Sequence, residues 1–279
     1  MPNRRRFKLA GCTALVTGAS AGIGLAVARR LSSAKANLVI AARHADSLEM
    51  AAGPLRAAGV KVLAVPADVG LRGDLENLVD RTLREFGTID VLVNNAGMEA
   101  FCHYEDLPLE RIDETISVNL ASALLLTRLV VPHMLKARRG HVVNMSSTAG
   151  KFGPAFGGLY GATKAGLISF TQGFRAEYRG RGLSASVICP GFTDEGGIYD
   201  RMKAHSGRRS PALVGSTTAD RVARAVVHAI EKDIPEIIVN WPPLRPLMVL
   251  TQMFPSLGAT LVRAASVRFL KRVAESHDL

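Results

Sequence analysis

The chain alternates short β-branched runs with longer stretches of helical periodicity. Strand-like runs fall at 12–17, 37–42, 60–65, 89–94, 141–146, 184–189 and 236–240, and most are continuously apolar instead of alternating. Continuity of that kind marks strands whose two faces are both covered by helices. Helical spacing fills 22–33, 46–58, 71–86, 106–138, 160–180 and 218–232. Strands alternating with helices predict an α/β fold, a doubly wound parallel seven-stranded sheet with helices on both faces. No internal repeat, low-complexity tract or linker divides the chain. The expected organisation is a basic arm at 1–9, one domain at 10–240, and a C-terminal helical extension at 241–279.

Two segments break the rhythm. Residues 191–217 are polar and glycine-punctuated, yet contain Ile198, Tyr199 and Met202, which predicts a lid or binding loop. The tail begins at Trp241. Its stretch 246–262 is uncharged but interrupted by Pro255 and Gly258, and too short for a spanning helix. Further on, Val262, Phe269 and Val273 share one helical face, with Arg263, Arg268, Lys271 and Arg272 on the other side. That basic amphipathic pattern predicts packing over the lid or a neighbouring subunit, with peripheral membrane contact through 246–275 as the alternative.

Composition narrows the function classes. With 48% hydrophobic and 21% charged residues, the 279-residue chain is of ordinary globular make-up. The net charge of +11 is partly concentrated in the opening MPNRRRFK, and elsewhere basic residues are interspersed with acidic ones. Aromatics are only 5% and scattered, so the basic stripe interleaved with aromatics that a nucleic-acid binder needs is not found. The excess charge reads as solvation and as attraction for anionic ligands. The three cysteines cannot all pair, and none lies in a CxxC or Cys/His cluster, so no metal site is expected. Cys12 and Cys189 sit in apolar runs as small hydrophobes, which favours a reducing, cytoplasmic setting. The stretch RRRFKLAGC has an apolar core too short for a secretion signal and broken by Lys8.

The first strand runs straight into TGASAGIG, with Gly18, Gly22 and Gly24 followed by the helical LAVARRL. Glycines there let the backbone approach a pyrophosphate, and the helix start offers free N–H groups and the positive end of its dipole. The sheet is therefore expected to be of the Rossmann type. Farther along, GGLYGATKAG places Tyr160 and Lys164 one helical turn apart on the same face.

In its ordered motifs the chain resembles the short-chain dehydrogenase/reductases, over roughly residues 10–240. The TGxxxGxG turn, Asp68-Val69 after the third strand, and Asn94-Asn95-Ala96-Gly97 after the fourth all match. So do Asn119 in SVNL, Ser147 thirteen residues before Tyr160, and Pro190-Gly191 after the sixth strand. The resemblance implies an oxidoreductase that forms dimers or tetramers and binds a nicotinamide dinucleotide. Its contacts would come from Gly18, Ser20, Gly22, Ile23, Gly24, Asp68, Val69, Asn95, Ala96, Gly97, Pro190 and Gly191, together with Tyr160 and Lys164. It also implies Tyr160 as general acid/base, Lys164 as its modulator and ribose ligand, Ser147 as oxyanion donor, and Asn119 as anchor of a water near Lys164. Ser146, next in line, is the register competitor for Ser147.

The second strand ends Ala41-Ala42-Arg43-His44. Where an NAD binder usually carries an acid, this chain has alanine followed by Arg43, which suits a 2′-phosphate and predicts NADP(H) over NAD(H). The alternative is an NAD-linked dehydrogenase acting oxidatively. Asp46 reads as the cap of the following helix. A tyrosine titrates near 10, and a cation about 4 Å away at an effective dielectric of 20 is worth roughly 4 kcal/mol, or about three pKa units. Desolvation opposes this, leaving an expected net shift towards neutrality. After Pro190-Gly191, Thr193 and Glu195 occupy the positions where the family commonly has valine and threonine. Phe152, Phe156, Phe192, Ile198, Tyr199 and Met202 are expected to wall an apolar pocket with no cation placed to clamp an anion, so the predicted substrate is a hydrophobic ketone, aldehyde or alcohol.

Overall fold

The continuously apolar runs form the interior of the protein in a computed structural model that describes residues 7–195, 197–207, 209–211 and 214–275. Most of the expected basic arm, residues 1–6, therefore lies outside the described residues, as do lid positions 196, 208, 212 and 213. In chain order the first half comprises β1 (Thr13–Thr17), α1 (Gly22–Ser33), β2 (Asn37–Ala42), α2 (Ala45–Ala57), β3 (Val62–Pro66), α3 (Arg72–Phe86) and β4 (Val91–Asn94). Then come α4 (Leu109–Ile116), α5 (Ser122–Ala137), β5 (Gly140–Met145), α6 (Gly158–Glu177) and β6 (Leu183–Pro190). The remainder is β7 (Thr193–Asp194), α7 (Ile198–Ser206), β8 (Thr217–Thr218), α8 (Ala219–Lys232), β9 (Glu236–Val239), α9 (Arg245–Met253) and α10 (Pro255–Glu275).

Seven strands pair in parallel in the order β3-β2-β1-β4-β5-β6-β9. Successive residues of each strand point to opposite faces, so Val16, Ile40 and Val93 join Leu31 of α1 and Val226 of α8 on one side. Leu15, Val39 and Leu92 join Leu75 of α3, Leu126 and Val130 of α5 and Phe174 of α6 on the other. The strand order reverses between β1 and β4, which opens a crevice at their C-terminal ends.

The expected helix at 106–138 is not continuous. A short π turn, Ser117–Ala121, separates α4 from α5. The cause is Asn119, buried in that turn with its side-chain amide committed to the backbone of Met98. The run 109–137 is long and apolar enough to cross a membrane, but Leu126, Val130, Val131 and Met134 on it are buried in the core against α3 and the sheet. Asp46 does not cap α2. His44 holds that position, and Asp46 lies within the first turn, where its charge still meets the helix dipole favourably.

The lid is not a plain loop. Its base is the two-residue pairing of β7 with β8, and its centre is α7. The tail folds as a hairpin of α9 and α10, which cross so closely that a Cβ on Gly258 would lie 2.7 Å from Thr251 Cα. Phe269, Leu270 and Val273 of α10 are buried against Tyr199 and Met202 of the lid and against Phe101.

His141 of β5 is fully enclosed, with Nε2 2.9 Å from Ser186 Oγ, and burial pushes its pKa down to about 4, partly offset by Asp233. Its folded pKa lies below the unfolded value, so the unfolded chain binds the extra proton and stability is lost as pH falls from about 6.5 towards 4. The shift converts to about 3 kcal/mol. Urea unfolding measured at stepped pH should show this loss, and His141→Gln should flatten that part of the curve.

Candidate active site

At the end of β1 the chain turns through Gly18 at φ 66°, and its Thr17 Oγ1 accepts hydrogen bonds from the backbone N–H groups of Asn95 (3.0 Å) and Ala96 (3.1 Å). The Asn95 side chain donates back to the carbonyls of Thr17 (2.9 Å) and Gly18 (3.2 Å). A Cβ on Gly18 would lie 2.9 Å from Ala96 Cα, and one on Gly24 would run into the Gly18 carbonyl. These glycines are required by close approach, not by flexibility alone. α1 starts behind Ala21 with no side-chain cap, so its first-turn donors are left for another acceptor.

This cradle is one end of a cleft of about 740 Å³. Every residue expected to touch the dinucleotide lines it: Gly18, Ser20, Gly22, Ile23, Gly24, Arg43, Asp68, Val69, Asn95, Ala96, Gly97, Tyr160, Lys164, Pro190 and Gly191. Arg43 is exposed on the rim, next to Ala42 and His44. Asp68 is fixed from both sides: its carboxylate accepts from Gly70 N–H (2.8 Å), and its own N–H donates to Asp74 (2.8 Å). A glycine turn packed tightly on the loop after β4, an uncapped helix start and a cation at the far rim fit an extended dinucleotide. Among the described residues no group of His, Cys, Asp and Glu is arranged to hold a metal ion.

Tyr160 and Lys164 stand one turn apart near the start of α6, with Lys164 Nζ 5.6 Å from the phenol ring centroid. Lys164 is only 4% exposed and donates to the Met145 carbonyl (3.1 Å). Burial drives its pKa from 10.5 down to about 8, with Cys189 opposing weakly. The expectation for Tyr160 fails in direction. Burial pushes its phenol up to about 12, the Ser147 hydroxyl draws it back through a hydrogen bond, and Glu99 adds to the rise. Desolvation is the leading cause for both groups, so each moves towards its neutral form.

Ser146 and Ser147 both border the cleft, in different settings. Ser146 is buried and donates to the carbonyl of Lys164 (2.8 Å), tying β5 to α6. Ser147 lines the cleft, accepts from Ala149 N–H (3.1 Å) and reaches the Pro190 carbonyl (3.5 Å). Asn119 does not line the cleft. Its amide is held by Met98 N–H (2.8 Å), Met98 carbonyl (2.9 Å) and Thr163 Oγ1 (3.4 Å), so its direct work is to position the loop after β4. Gly97 fills the gap between them: a Cβ there would sit 3.2 Å from Asn119 Oδ1 and 3.3 Å from Lys164 Nζ.

Below the site lies a buried amide ladder that motif spacing does not single out. Asn94 Nδ2 donates to Asn144 Oδ1 (2.8 Å) and Thr127 Oγ1 (3.1 Å), and Asn144 Nδ2 donates to Thr171 Oγ1 (2.9 Å). It joins β4, β5, α5 and α6 directly beneath Tyr160 and Lys164. Asn144, at the buried end of a strand run, is the readable hint, because a buried amide there demands partners.

The far end of the cleft is apolar, walled by Phe101, Phe152, Phe192, Ile198, Tyr199 and Met202 along with Leu270 of α10. Phe156 is not among them. It adopts φ 60° and packs its ring 5.0 Å from His103, facing a separate cavity of about 380 Å³. Besides Arg43, two arginines line the cleft, each paired with a carboxylate. Arg201 of α7 forms a two-pronged pair with buried Glu99 (3.0 and 2.9 Å), and Arg111 pairs with Glu114 (2.9 Å). Glu99 holds the Arg201 guanidinium protonated still more firmly and pins the lid to the loop after β4. Thr193 is buried in β7 with its hydroxyl donating to Gly191 O (3.0 Å), whereas Glu195 is exposed at φ 83°.

The short chain dehydrogenase family matches residues 12–204. A ketoacyl reductase, HetN, of Nostoc sp. is 40% identical over 236 residues, 85% of this chain and 81% of the relative. Among solved structures, a short chain dehydrogenase/reductase from Burkholderia phymatum in complex with NAD superposes with a TM-score of 0.80 at 28% identity. The match covers 90% of this chain and 96% of that one. An actinorhodin polyketide ketoreductase with NADPH gives a TM-score of 0.77 at 28% identity, covering 82% and 96%.

Among the described residues no carboxylate pairs with the buried Lys164 ammonium, a stability cost that replacement removes. The depressed pKa of Lys164 is worth about 3 kcal/mol, against about 1 kcal/mol for the lost bond to Met145. Lys164→Met should therefore be about 1–2 kcal/mol more stable than the parent at pH 7. The unfolded chain binds the extra proton between pH 8 and about 10.4, so the parent regains stability across that window and the gap should close. Thermal melts of both proteins at stepped pH read the difference directly.

Proposed function

Since the chain belongs to the short chain dehydrogenase family, whose members are NAD(P)-dependent oxidoreductases, we propose that it reduces a hydrophobic ketone to its alcohol with NADP(H). A ketoacyl-type chain is the substrate class we favour. The observation that carries this reading is the continuous cleft joining the glycine cradle, the Ser147–Tyr160–Lys164 group and an apolar wall.

When bound, the reduced nicotinamide supplies the hydride. The chain's own residues handle position and protons. The Tyr160 phenol, held near 12, stays protonated at neutral pH and so stands ready as the acid that protonates the carbonyl oxygen. Ser147 donates a hydrogen bond to that oxygen as negative charge grows on it. Lys164, charged below about 8, stabilises the phenolate left behind. The same pKa ordering disfavours the oxidative direction near neutrality, because that direction begins from a phenolate. Phe101, Phe192 and Met202 exclude water and favour an apolar chain. The Glu99–Arg201 pair neutralises the cation nearest the substrate end, which argues against a small carboxylate substrate. Ala42 and Arg43 at the rim leave room and charge for a 2′-phosphate.

Tyr160→Phe should abolish reduction of apolar ketones, read from reduced-nicotinamide absorbance, while fluorescence titration with NADPH remains unchanged. Arg43→Asp should lower the NADPH-over-NADH ratio in kcat/KM by about 10- to 100-fold, the worth of a charged hydrogen bond. An unchanged ratio would refute the phosphate assignment. The rate of reduction should be flat below pH 8 and fall above it, as Lys164 loses the proton whose charge stabilises the phenolate.

A further inference from the structure

The α9–α10 hairpin carries its apolar side chains on the outside. Val249, Leu250, Met253, Phe254, Leu257 and Leu261 are all exposed, Met253 at 67% and Phe254 at 53%. They recur at three- and four-residue steps around the apex of the hairpin, which falls at Phe254, between the two helices. Trp241, 67% exposed, stands just before the hairpin. The shoulders are basic: Arg245, Arg263, Arg268, Lys271 and Arg272 are exposed, and no Asp or Glu occurs anywhere from 237 to 274.

We infer that this hairpin docks on an anionic phospholipid bilayer, with the apex among the acyl chains and the arginines at the headgroups. An apolar crest flanked by cations is the arrangement that burial in the interface and attraction to anionic lipid both favour. Charge decides between this occupant and a second copy of the chain. A two-fold contact through the hairpin would place one basic shoulder beside another, with no carboxylate on the segment before Glu275 to pair with it. Unlike an exposed helix alone, α10 also has a face turned inward, where Leu270 lines the cleft while Phe269 and Val273 pack on the lid. The docking does not rest on the proposed ketone reduction.

The test is co-sedimentation of the full chain with phosphatidylglycerol-rich vesicles and with pure phosphatidylcholine vesicles. The chain should pellet with the first far more than with the second, and less as salt rises. Arg263→Gln and Arg268→Gln should each lower partitioning about fivefold. The triple variant Met253→Ser/Phe254→Ser/Leu257→Ser should lower it at least tenfold, with an unchanged circular dichroism spectrum and unchanged reduction of a water-soluble ketone. A parent chain that stays in the supernatant with both vesicles overturns the inference, as does equal binding to both that ignores the arginine changes. A parent dimer that the triple variant dissociates, with no vesicle binding, assigns the surface to a second copy and also overturns it. Vesicle binding without any ketone reduction upholds the docking and rejects the proposed function instead.

Discussion

Lys164 brings a positive charge into the interior and sets it beside a phenol, with no acid paired to it among the described residues. Burial works against the charge on the lysine and equally against ionisation of Tyr160, so the amine falls to about 8 while the phenol rises to about 12. Much of the surrounding structure holds that unfavourable pair in place. Gly97 lacks the side chain that would crowd Nζ, Ser146 grips the carbonyl of Lys164, and the ladder from Asn94 through Asn144 to Thr171 keeps α6 against the strand ends. The sheet contributes more than a scaffold, because its buried amides fix the helix whose first turns carry Tyr160 and Lys164.

The loop after β4 joins the two halves of the cleft in five consecutive residues. Asn95 and Ala96 lock the glycine turn to β1, Gly97 gives space to Lys164, Met98 is clamped by Asn119, and Glu99 reaches across to Arg201 of the lid. A shift of this loop would therefore be felt at the cradle, at the proposed acid and at the lid together. Contacts of this density leave little freedom for one end of the cleft to rearrange without the other.

Much of this was legible in the sequence, for identifiable reasons. The strands announced themselves because both sheet faces are covered, which leaves unbroken apolar runs such as 37–42. Tyr160, Lys164 and the glycines were readable from local spacing, which fixes neighbours within one turn or one helix start, whereas Ser147 came only from the family resemblance. What was not legible depends on partners distant in sequence. Glu99 meets Arg201 across 102 positions, and the π turn at Asn119 exists because of Met98, 21 positions away. Phe156 joined the wrong wall because its left-handed backbone turns the ring away from the cleft. The sign of the Tyr160 shift was misjudged because a charge of known separation can be read from helix geometry, whereas the depth of burial opposing it cannot.

The turn after Pro190-Gly191 and the C-terminal hairpin meet in space. After Pro190-Gly191 the hydroxyl of Thr193 is spent on Gly191, β7 pairs with β8, and Glu195 takes a left-handed conformation that redirects the chain into α7. That conformation costs a non-glycine residue on the order of 1 kcal/mol and persists only where its surroundings hold it. Redirected this way, α7 carries Tyr199 and Met202 on a face that would be solvated without another element over it. α10 supplies that element: Phe192 meets Phe269 edge-on at 5.4 Å, and Val273 is fully buried beside them. Each of the fully buried large side chains in this cluster contributes about 1.5–3 kcal/mol by leaving water, which more than offsets the turn at Glu195. The lid and the tail therefore stabilise one another, and together they place an apolar roof over one end of the cleft.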